Sequence, residues 1–369
     1  MRRIAAFFRR EVVLTCSLAA ALLSFLLAAP GAHTLAGIDF GTLLMLFTLM
    51  TVVAGLRRAG LFDRLRVALA RRVRTLRGMA AALTCACFFL AMGVTNDVAL
   101  LTLVPFTLVV LERAGQRALI LTVALETVAA NLGSMVTPIG NPQNLYLYSA
   151  GLLSLTDFFR LTWPYALLSL AALLLLTRLL PALPLPEAGA DGAPVRREAA
   201  LLYGALAVVA LLAVAKVVPA WAAALVTLIA VLAADRSTLR QVDYSLLATF
   251  VCFFVFVASV KQCAPIREYL ESVMSASPLL VSLMVSQVIS NVPACLLLSP
   301  FTRDASALML GVNLGGLGTL VASLASLISF RLYGAAPGAR RGRYLIIFTV
   351  LNAAMLLLLL LAAWALGAL

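Results

Sequence analysis

One stretch of fifteen residues constrains this chain more than any other: Ala130-Asn131-Leu132-Gly133-Ser134-Met135-Val136-Thr137-Pro138-Ile139-Gly140-Asn141-Pro142-Gln143-Asn144. Two prolines, two glycines, three asparagines and a glutamine interrupt a strongly apolar neighbourhood. No continuous helix survives this, because each proline removes a backbone donor and clashes with the preceding turn. Inside a bilayer, broken backbone is tolerated only where protein buries it or where it lines a wet cavity. The stretch is therefore either a loop outside the membrane or a broken helix at a binding site. An echo downstream, Val312-Asn313-Leu314-Gly315-Gly316-Leu317-Gly318-Thr319, favours the broken helix.

The neighbourhood is apolar because the whole chain is. Of 369 residues, 63% are hydrophobic and only 12% charged, with a mean hydropathy of +1.07. A soluble domain carries roughly 25% charged residues, so the composition reads as a polytopic, all-α membrane protein. A net charge of +13 would suggest nucleic acid in a soluble chain. Here the arginines read as topology signals in cytoplasmic loops, with the lipid bilayer as the partner and no nucleic acid. The six cysteines are scattered and lack zinc or redox spacing, and the single His33 excludes a histidine metal cluster.

Along the chain, Arg2, Arg3, Arg9 and Arg10 precede a first span, Val12 to Ala29, and a second runs from Phe40 to Leu56. Arg57 to Arg77 interleaves eight arginines with leucine, valine and phenylalanine, the pattern of an amphipathic helix on the inner membrane face. A re-entrant hairpin is expected near 79–111, its polar tip at Gly93-Val94-Thr95-Asn96-Asp97, followed by the broken helix near 131–144. These elements make a first half, 1–182. A linker rich in proline, glycine and alanine covers 183–198. The second half, 199–369, holds a hairpin near 279–303 with its tip at Ser290-Asn291-Val292-Pro293, and a broken helix near 313–319.

The halves repeat in order. Ile38-Asp39-Phe40 matches Val242-Asp243-Tyr244, and with the same offset of 204 Leu56-Arg57 falls on Val260-Lys261. Thr95-Asn96 matches Ser290-Asn291, and Pro105-Phe106 matches Pro300-Phe301, at an offset of 195. Asn131-Leu132-Gly133-Ser134 with Thr137 matches Asn313-Leu314-Gly315-Gly316 with Thr319 at an offset of 182. With the N-terminus in the cytoplasm, about nine full crossings and the C-terminus outside, only Arg160, Lys216, Lys261, Arg267 and Arg303 of the 28 Lys and Arg fall away from the inner face. Matched spans then run in opposite directions. An inverted repeat with paired broken helices is the sequence pointer to a secondary transporter.

The chemistry is expected at the tips and breaks: Thr95, Asn96, Asp97, Gly133, Ser134, Thr137 and Asn141 in the first half, and Ser290, Asn291, Asn313, Gly315, Gly316 and Thr319 in the second. Amides at helix N-termini favour an anion, while carbonyl, Asn, Ser and Thr oxygens suit a small hard cation. The same residue types are also ordinary helix caps; it is their pairing across the repeat that capping leaves unexplained. Asp97 and Glu126 are the acids placed deepest. A charge at the bilayer centre costs at least roughly 2.5–3.5 kcal/mol on insertion scales, so each implies a wet site, a paired cation or a proton held for part of the cycle. For Glu126 a structural hydrogen bond to a neighbouring helix is the competing reading. No lysine or arginine falls clearly mid-membrane, so a dianion would depend on helix N-termini, hydroxyls and bound cations.

Gly133 to Asn144 resembles the broken-helix signature of the ion-transporter superfamily, which includes divalent-anion:sodium symporters, citrate transporters, arsenite permeases and a class of Na⁺/H⁺ antiporters. Asn96-Asp97-Val98-Ala99-Leu100-Leu101 with Pro105 is similar to the arsenite-permease branch, and Ser290-Asn291-Val292-Pro293 resembles the matching second tip. The resemblance spans about Asp39 to Tyr333. It implies two scaffold–transport halves, sodium or proton coupling and frequent homodimers. It also implies two cation and substrate clusters: Thr95 and Asn96 with the Gly133 backbone, and Ser290 and Asn291 with the Gly315 backbone. The sodium symporters carry Ser-Asn-Thr at both tips. Here Asp97 and Val292 stand in the last position, and Asp97 points to proton coupling or a different cation site.

The resulting expectation is an inner-membrane, ion-coupled secondary active transporter of small anions or oxyanions, working by alternating access. It needs no cofactor beyond a coupling Na⁺ or H⁺. A Na⁺/H⁺ antiporter using Asp97 and Glu126 is the alternative, ahead of a passive channel or a membrane-embedded enzyme.

Overall fold

The computed structural model describes residues 11–185 and 195–368. The N-terminal arginines 2, 3, 9 and 10 and most of the expected linker lie outside the described residues. Every named element is a helix.

In the first half the helices are α1 (Val12–Ser24), α2 (Ala32–Ala36), α3 (Phe40–Arg58), α4 (Leu61–Arg72), α5 (Leu76–Gly93), α6 (Asn96–Val110), α7 (Gln116–Ser134), α8 (Pro142–Ser149) and α9 (Leu155–Leu176). The second half has α10 (Arg197–Val214), α11 (Ala220–Ala234), α12 (Tyr244–Val260), α13 (Ala264–Ala276), α14 (Pro278–Ile289), α15 (Asn291–Leu298), α16 (Ala305–Leu314), α17 (Leu324–Gly334) and α18 (Arg341–Ala365). From α3 and α12 onward the two series correspond one to one. The matched aspartates open them identically: Asp39 caps α3 by accepting from the Thr42 amide, and Asp243 caps α12 by accepting from the Leu246 amide.

Five described helices are long and apolar enough to cross a bilayer singly: α3, α5, α9 extended to Leu179, α10 and α18. The remaining apolar helices are 10–17 residues long, so the count of about nine expected from hydropathy includes half-length segments. The chain bends by 103° between α12 and α13. α13 is the repeat mate of the arginine-rich α4, and like it is amphipathic rather than a continuation of the preceding span. Hydropathy alone reads only the first of this pair, because α13 lacks the arginines that mark α4.

The halves are interleaved, not juxtaposed. α1 packs on α12 of the other repeat, whereas α10 and α11 pack on α3. Likewise α6 packs on α17, α15 on α8, and α18 on α7. In lipid, helices gain little from hydrophobic burial and associate through close packing and hydrogen bonds. Two glycines carry such contacts: a Cβ at Gly55 would overlap the Tyr203 ring of α10, and one at Gly133 would overlap the Phe88 backbone of α5. The main core gathers α5, α6, α7, α9 and α18, and the fully buried rings of Tyr333, Tyr344 and Phe348 stack in series within it.

Both expected breaks are present, shifted by a few residues. The first helix runs through Asn131 and Gly133 to Ser134 and breaks over 135–141. Pro138 sets this point, since it has no N–H for the Ser134 carbonyl four residues back. Helix resumes with Pro142 at its first position and Asn141 as its cap. The second break covers 315–323, longer than the expected 313–319, and Ser323 precedes α17.

Candidate functional site

The two broken helices are clasped crosswise by their asparagines. At the end of α7, Asn131 Oδ1 accepts from Ser323 Oγ at 2.9 Å, and Asn131 Nδ2 donates to Ser326 Oγ at 3.3 Å. Ser323 and Ser326 open α17, in the other repeat. At the end of α16, Asn313 Oδ1 accepts from Asn141 Nδ2 at 3.0 Å, and Asn313 Nδ2 donates to Asn144 Oδ1 at 2.7 Å. Asn141 and Asn144 open α8. The offset of 182 carries Asn131 onto Asn313, Asn141 onto Ser323 and Asn144 onto Ser326, so one clasp is the repeat image of the other. All six side chains are buried.

Each hairpin tip docks on the break of its own repeat by the same bonds. The Asn96 amide donates to Gly140 O at 3.2 Å, and the Asn291 amide to Ala322 O at 3.0 Å. Thr137 Oγ1 donates to Met92 O at 2.6 Å, and Thr319 Oγ1 to Gln287 O at 3.0 Å. Asn96 Oδ1 accepts the Asp97 amide at 2.9 Å, and Asn291 Oδ1 the Val292 amide at 3.0 Å.

The tips also differ. Asn96 Nδ2 reaches Asn131 Oδ1 at 3.2 Å and joins the first tip to the clasp. Asn291 Nδ2 faces the space left open by Gly316. Gln287 bridges the second tip to its break, donating to Gly315 O and Leu317 O and accepting from the Thr319 amide. Ser290 turns the second tip with φ 75, a left-handed conformation rare outside glycine.

The N-termini of α6, α8, α15 and α17 therefore meet in one buried hydrogen-bonded region. A helix N-terminus carries roughly half a positive charge, so four of them meeting favour an anion. Asn, Ser and Thr oxygens interleaved with these amides provide ligands for a small hard cation. Among the described residues, no group of three or more His, Cys, Asp or Glu forms a metal site.

Of the residues expected from sequence, Thr95, Asn96, Ser134, Thr137, Asn141, Ser290, Asn291, Asn313 and Gly316 lie in this region, and Thr319 lies at its exposed margin. Ser134 Oγ accepts from Asn141 Nδ2 at 3.2 Å. Gly133 and Gly315 border it, with their Cα faces packed on Phe88 and Ser286 respectively. Asp97 sits at the first tip with one buried oxygen, Oδ1, lacking a hydrogen-bond partner. Glu126 lies apart in the core, where Thr107 Oγ1 donates to its Oε1 at 2.6 Å and Oε2 is without a partner. Asn131, Asn144, Ser323, Ser326 and Gln287 join the site beyond that set. Extending the 182-residue match past Thr319 points to both serines, whereas Gln287 has no sequence signal.

Two cavities lie at the ends of α3, and the first reaches the clasp at Asn141. One, about 140 Å³, is lined by Thr95, Asp97 and Asn141 together with Arg57, Gln241 and Asp243. The other, about 570 Å³, is lined by Asp39, Tyr146, Ser149, Phe254 and Lys261 among others. The last turn of α3 brings Arg57 to the same cavity as the first tip.

Residues 4–314 match the citrate transporter family, CitMHS. The inner membrane protein YbiR of Escherichia coli K12 is 33% identical over 303 residues, covering 80% of this chain and 81% of YbiR. An uncharacterized transporter of Methanocaldococcus jannaschii is 28% identical over 313 residues, 84% of this chain and 85% of its own. The rice silicon efflux transporter LSI3 is 36% identical over 126 residues, 33% of this chain and 25% of its own. Among solved structures, the Alcanivorax borkumensis YdaH transporter, described as having an unusual topology, superposes with a TM-score of 0.59 over 94% of this chain and 89% of its own, at 16% identity; that likeness is one of fold. The protein is thus a multi-pass membrane transporter, and the chain belongs to the citrate transporter family.

Proposed function

We propose that this protein is an ion-coupled secondary active transporter of small anions, of the inorganic or carboxylate class, working by alternating access in the inner membrane. The observation that carries this reading is the crossed asparagine clasp, which places four helix N-termini from both repeats around one buried polar region. The positive ends of four helix dipoles at that point suit an anion, and the interleaved oxygens suit a coupling Na⁺. The names of the relatives, a citrate transporter family and a silicon efflux transporter, agree with a small oxygen-rich substrate. YbiR's description as an inner membrane protein agrees with the location. We assign the N-terminus to the cytoplasm and the C-terminus outside on the arginine distribution, and a homodimer on the resemblance.

A second reading, Na⁺/H⁺ antiport, draws on one specific observation: Asp97 Oδ1 and Glu126 Oε2 are buried without hydrogen-bond partners. A carboxyl that takes and releases a proton has such an oxygen. Proteoliposome uptake separates the two. Citrate, silicate, arsenite and phosphate are presented with an imposed sodium or proton gradient. Accumulation of one of them, abolished by Asn96→Ala and by Asn291→Ala in folded protein, is the expected result. Sodium-driven acidification changes with no anion uptake would favour antiport instead. Wild-type uptake in either mutant would remove the two-tip site.

A further inference from the structure

The parts of the two cavities lined by α3 and α12 correspond under the internal repeat. The offset of 204 that carries Asp39 onto Asp243 also carries Arg57 onto Lys261, Val53 onto Val257 and Ala54 onto Ala258. Arg57, Val53, Ala54 and Asp243 line the first cavity, and Lys261, Val257, Ala258 and Asp39 line the second. Each cavity thus joins the C-terminal end of one repeat's first long helix to the N-terminal end of the other's. α3 and α12 are antiparallel at this contact, since Arg57 at the end of α3 donates to Gln241, just before α12, at 3.2 Å. The cavities therefore sit at opposite ends of a helix of 19 residues, about 28 Å long, close to the thickness of a bilayer's hydrocarbon core.

The charges in the two cavities are not equally committed. Asp243 accepts from the Leu246 amide, and Asp39 from the amide and hydroxyl of Thr42, so each carboxylate caps a helix N-terminus. Asp97, the other carboxylate in the first cavity, lies in the first turn of α6. Arg57 uses one of its five N–H groups on Gln241. Lys261 is exposed, and among the described residues neither cation is in an ion pair. His33 and Tyr146 complete the titratable lining of the second cavity.

We propose that Arg57 and Lys261 are matched anion-recruiting residues, one at each mouth of a single path, whose unspent donors draw a small anion toward the clasp from opposite faces. This rests on the reading that the protein carries an anion, and it names the residues that would select for charge. Arginine and lysine differ here in a useful way. Arg57 presents a planar fork able to grip a carboxylate or oxyanion bidentately, whereas Lys261 acts as a point charge.

Thiol reactivity tests this without knowing the substrate. In a chain whose six native cysteines are replaced by alanine, Met50→Cys places a thiol in the first cavity and Ala150→Cys one in the second. Each is reacted in proteoliposomes with a sulfonate-bearing and a trimethylammonium-bearing methanethiosulfonate of similar size, applied from one face at a time. The two thiols are expected to react from opposite faces. Arg57→Gln is expected to lower the anionic-to-cationic rate ratio at position 50 by about three- to tenfold, as removal of one charge a few ångströms away would, with no change at position 150. Lys261→Gln should do the reverse. Arg57→Lys, which keeps the charge, should hold the ratio near wild type. Labelling of both thiols from one face overturns the proposal, as does a ratio unmoved by either substitution or moved equally at both positions. If the ratios behave as expected but no anion in the panel is accumulated, the recruiting cations stand and the transport reading falls.

Discussion

At the scale of single residues, the clasp asparagines are bonded through both ends of their amides. Asn313 gives both amide hydrogens, to Asn144 Oδ1 and Met309 O, and takes one from Asn141. Asn313→Ala leaves Asn144 Oδ1 buried and unpaired, at a cost of about 1–3 kcal/mol. A lower melting temperature in detergent and loss of uptake are expected. A double-mutant cycle of Asn313→Ala with Asn144→Ala should show strong coupling, because the two side chains satisfy each other. Ser290 is a different case. Its φ of 75 with ψ of 154 lies in a region nearly confined to glycine and costs about 1–3 kcal/mol. Ser290→Gly should therefore raise the melting temperature while lowering transport, because the hydroxyl that donates to Ala322 O is gone. A stabilised mutant with full transport would mean that the strain serves no function.

At the scale of elements, where each helix ends follows from local chemistry, and how closely it approaches its neighbour follows from glycine. Ser134 is the last residue of α7 because Pro138 cannot complete its turn. A Cβ at Gly133 would lie 2.1 Å from the Phe88 carbonyl oxygen, a backbone atom that cannot move aside alone. Gly133→Ala should separate α7 from α5 and cost about 1–3 kcal/mol or more, seen as reduced yield of folded protein in size-exclusion chromatography. Gly204→Ala in α10 is the matched control, since nothing lies within 4 Å of its added carbon. It should be neutral or slightly stabilising through helix propensity.

At the scale of the whole molecule, neither repeat completes its own hydrogen bonding. Asn131 of the first finds Ser323 and Ser326 of the second, and Asn313 of the second finds Asn141 and Asn144 of the first. The flanking helices are exchanged in the same sense, α10 and α11 onto α3 and α1 onto α12. A chain of residues 1–185 expressed alone should be degraded, and so should one of residues 195–369. Expressed together, they should reassemble into a complex that copurifies and transports. Stable accumulation of either half alone would contradict the interleaving. The unequal cavities, about 140 and 570 Å³, break the symmetry of the pair. In alternating access, two repeat-related mouths would exchange these sizes.

Much of this was legible before any coordinates. Pro138 and Pro142 dictate a break wherever they stand, because a missing N–H is a property of the residue. The match of Asn131 to Asn313 and of Asn96 to Asn291 is likewise carried by the chain, and it located both tips and both breaks to within a few residues. Apolar length alone marked the chain for the membrane. Partnership was not legible. Nothing local distinguishes an asparagine bonded within its own repeat from one bonded across it, and Gln287 looks like any polar residue near a helix end. The meeting of Arg57 with Asp243, and of Lys261 with Asp39, required two antiparallel helices to bring residues about two hundred positions apart to one cavity. The sequence by itself determined where the backbone must break and that it breaks twice. Only the tertiary structure decided what each broken end faces, because that depends on which helix packs beside it, and in this protein the neighbour comes from the other half.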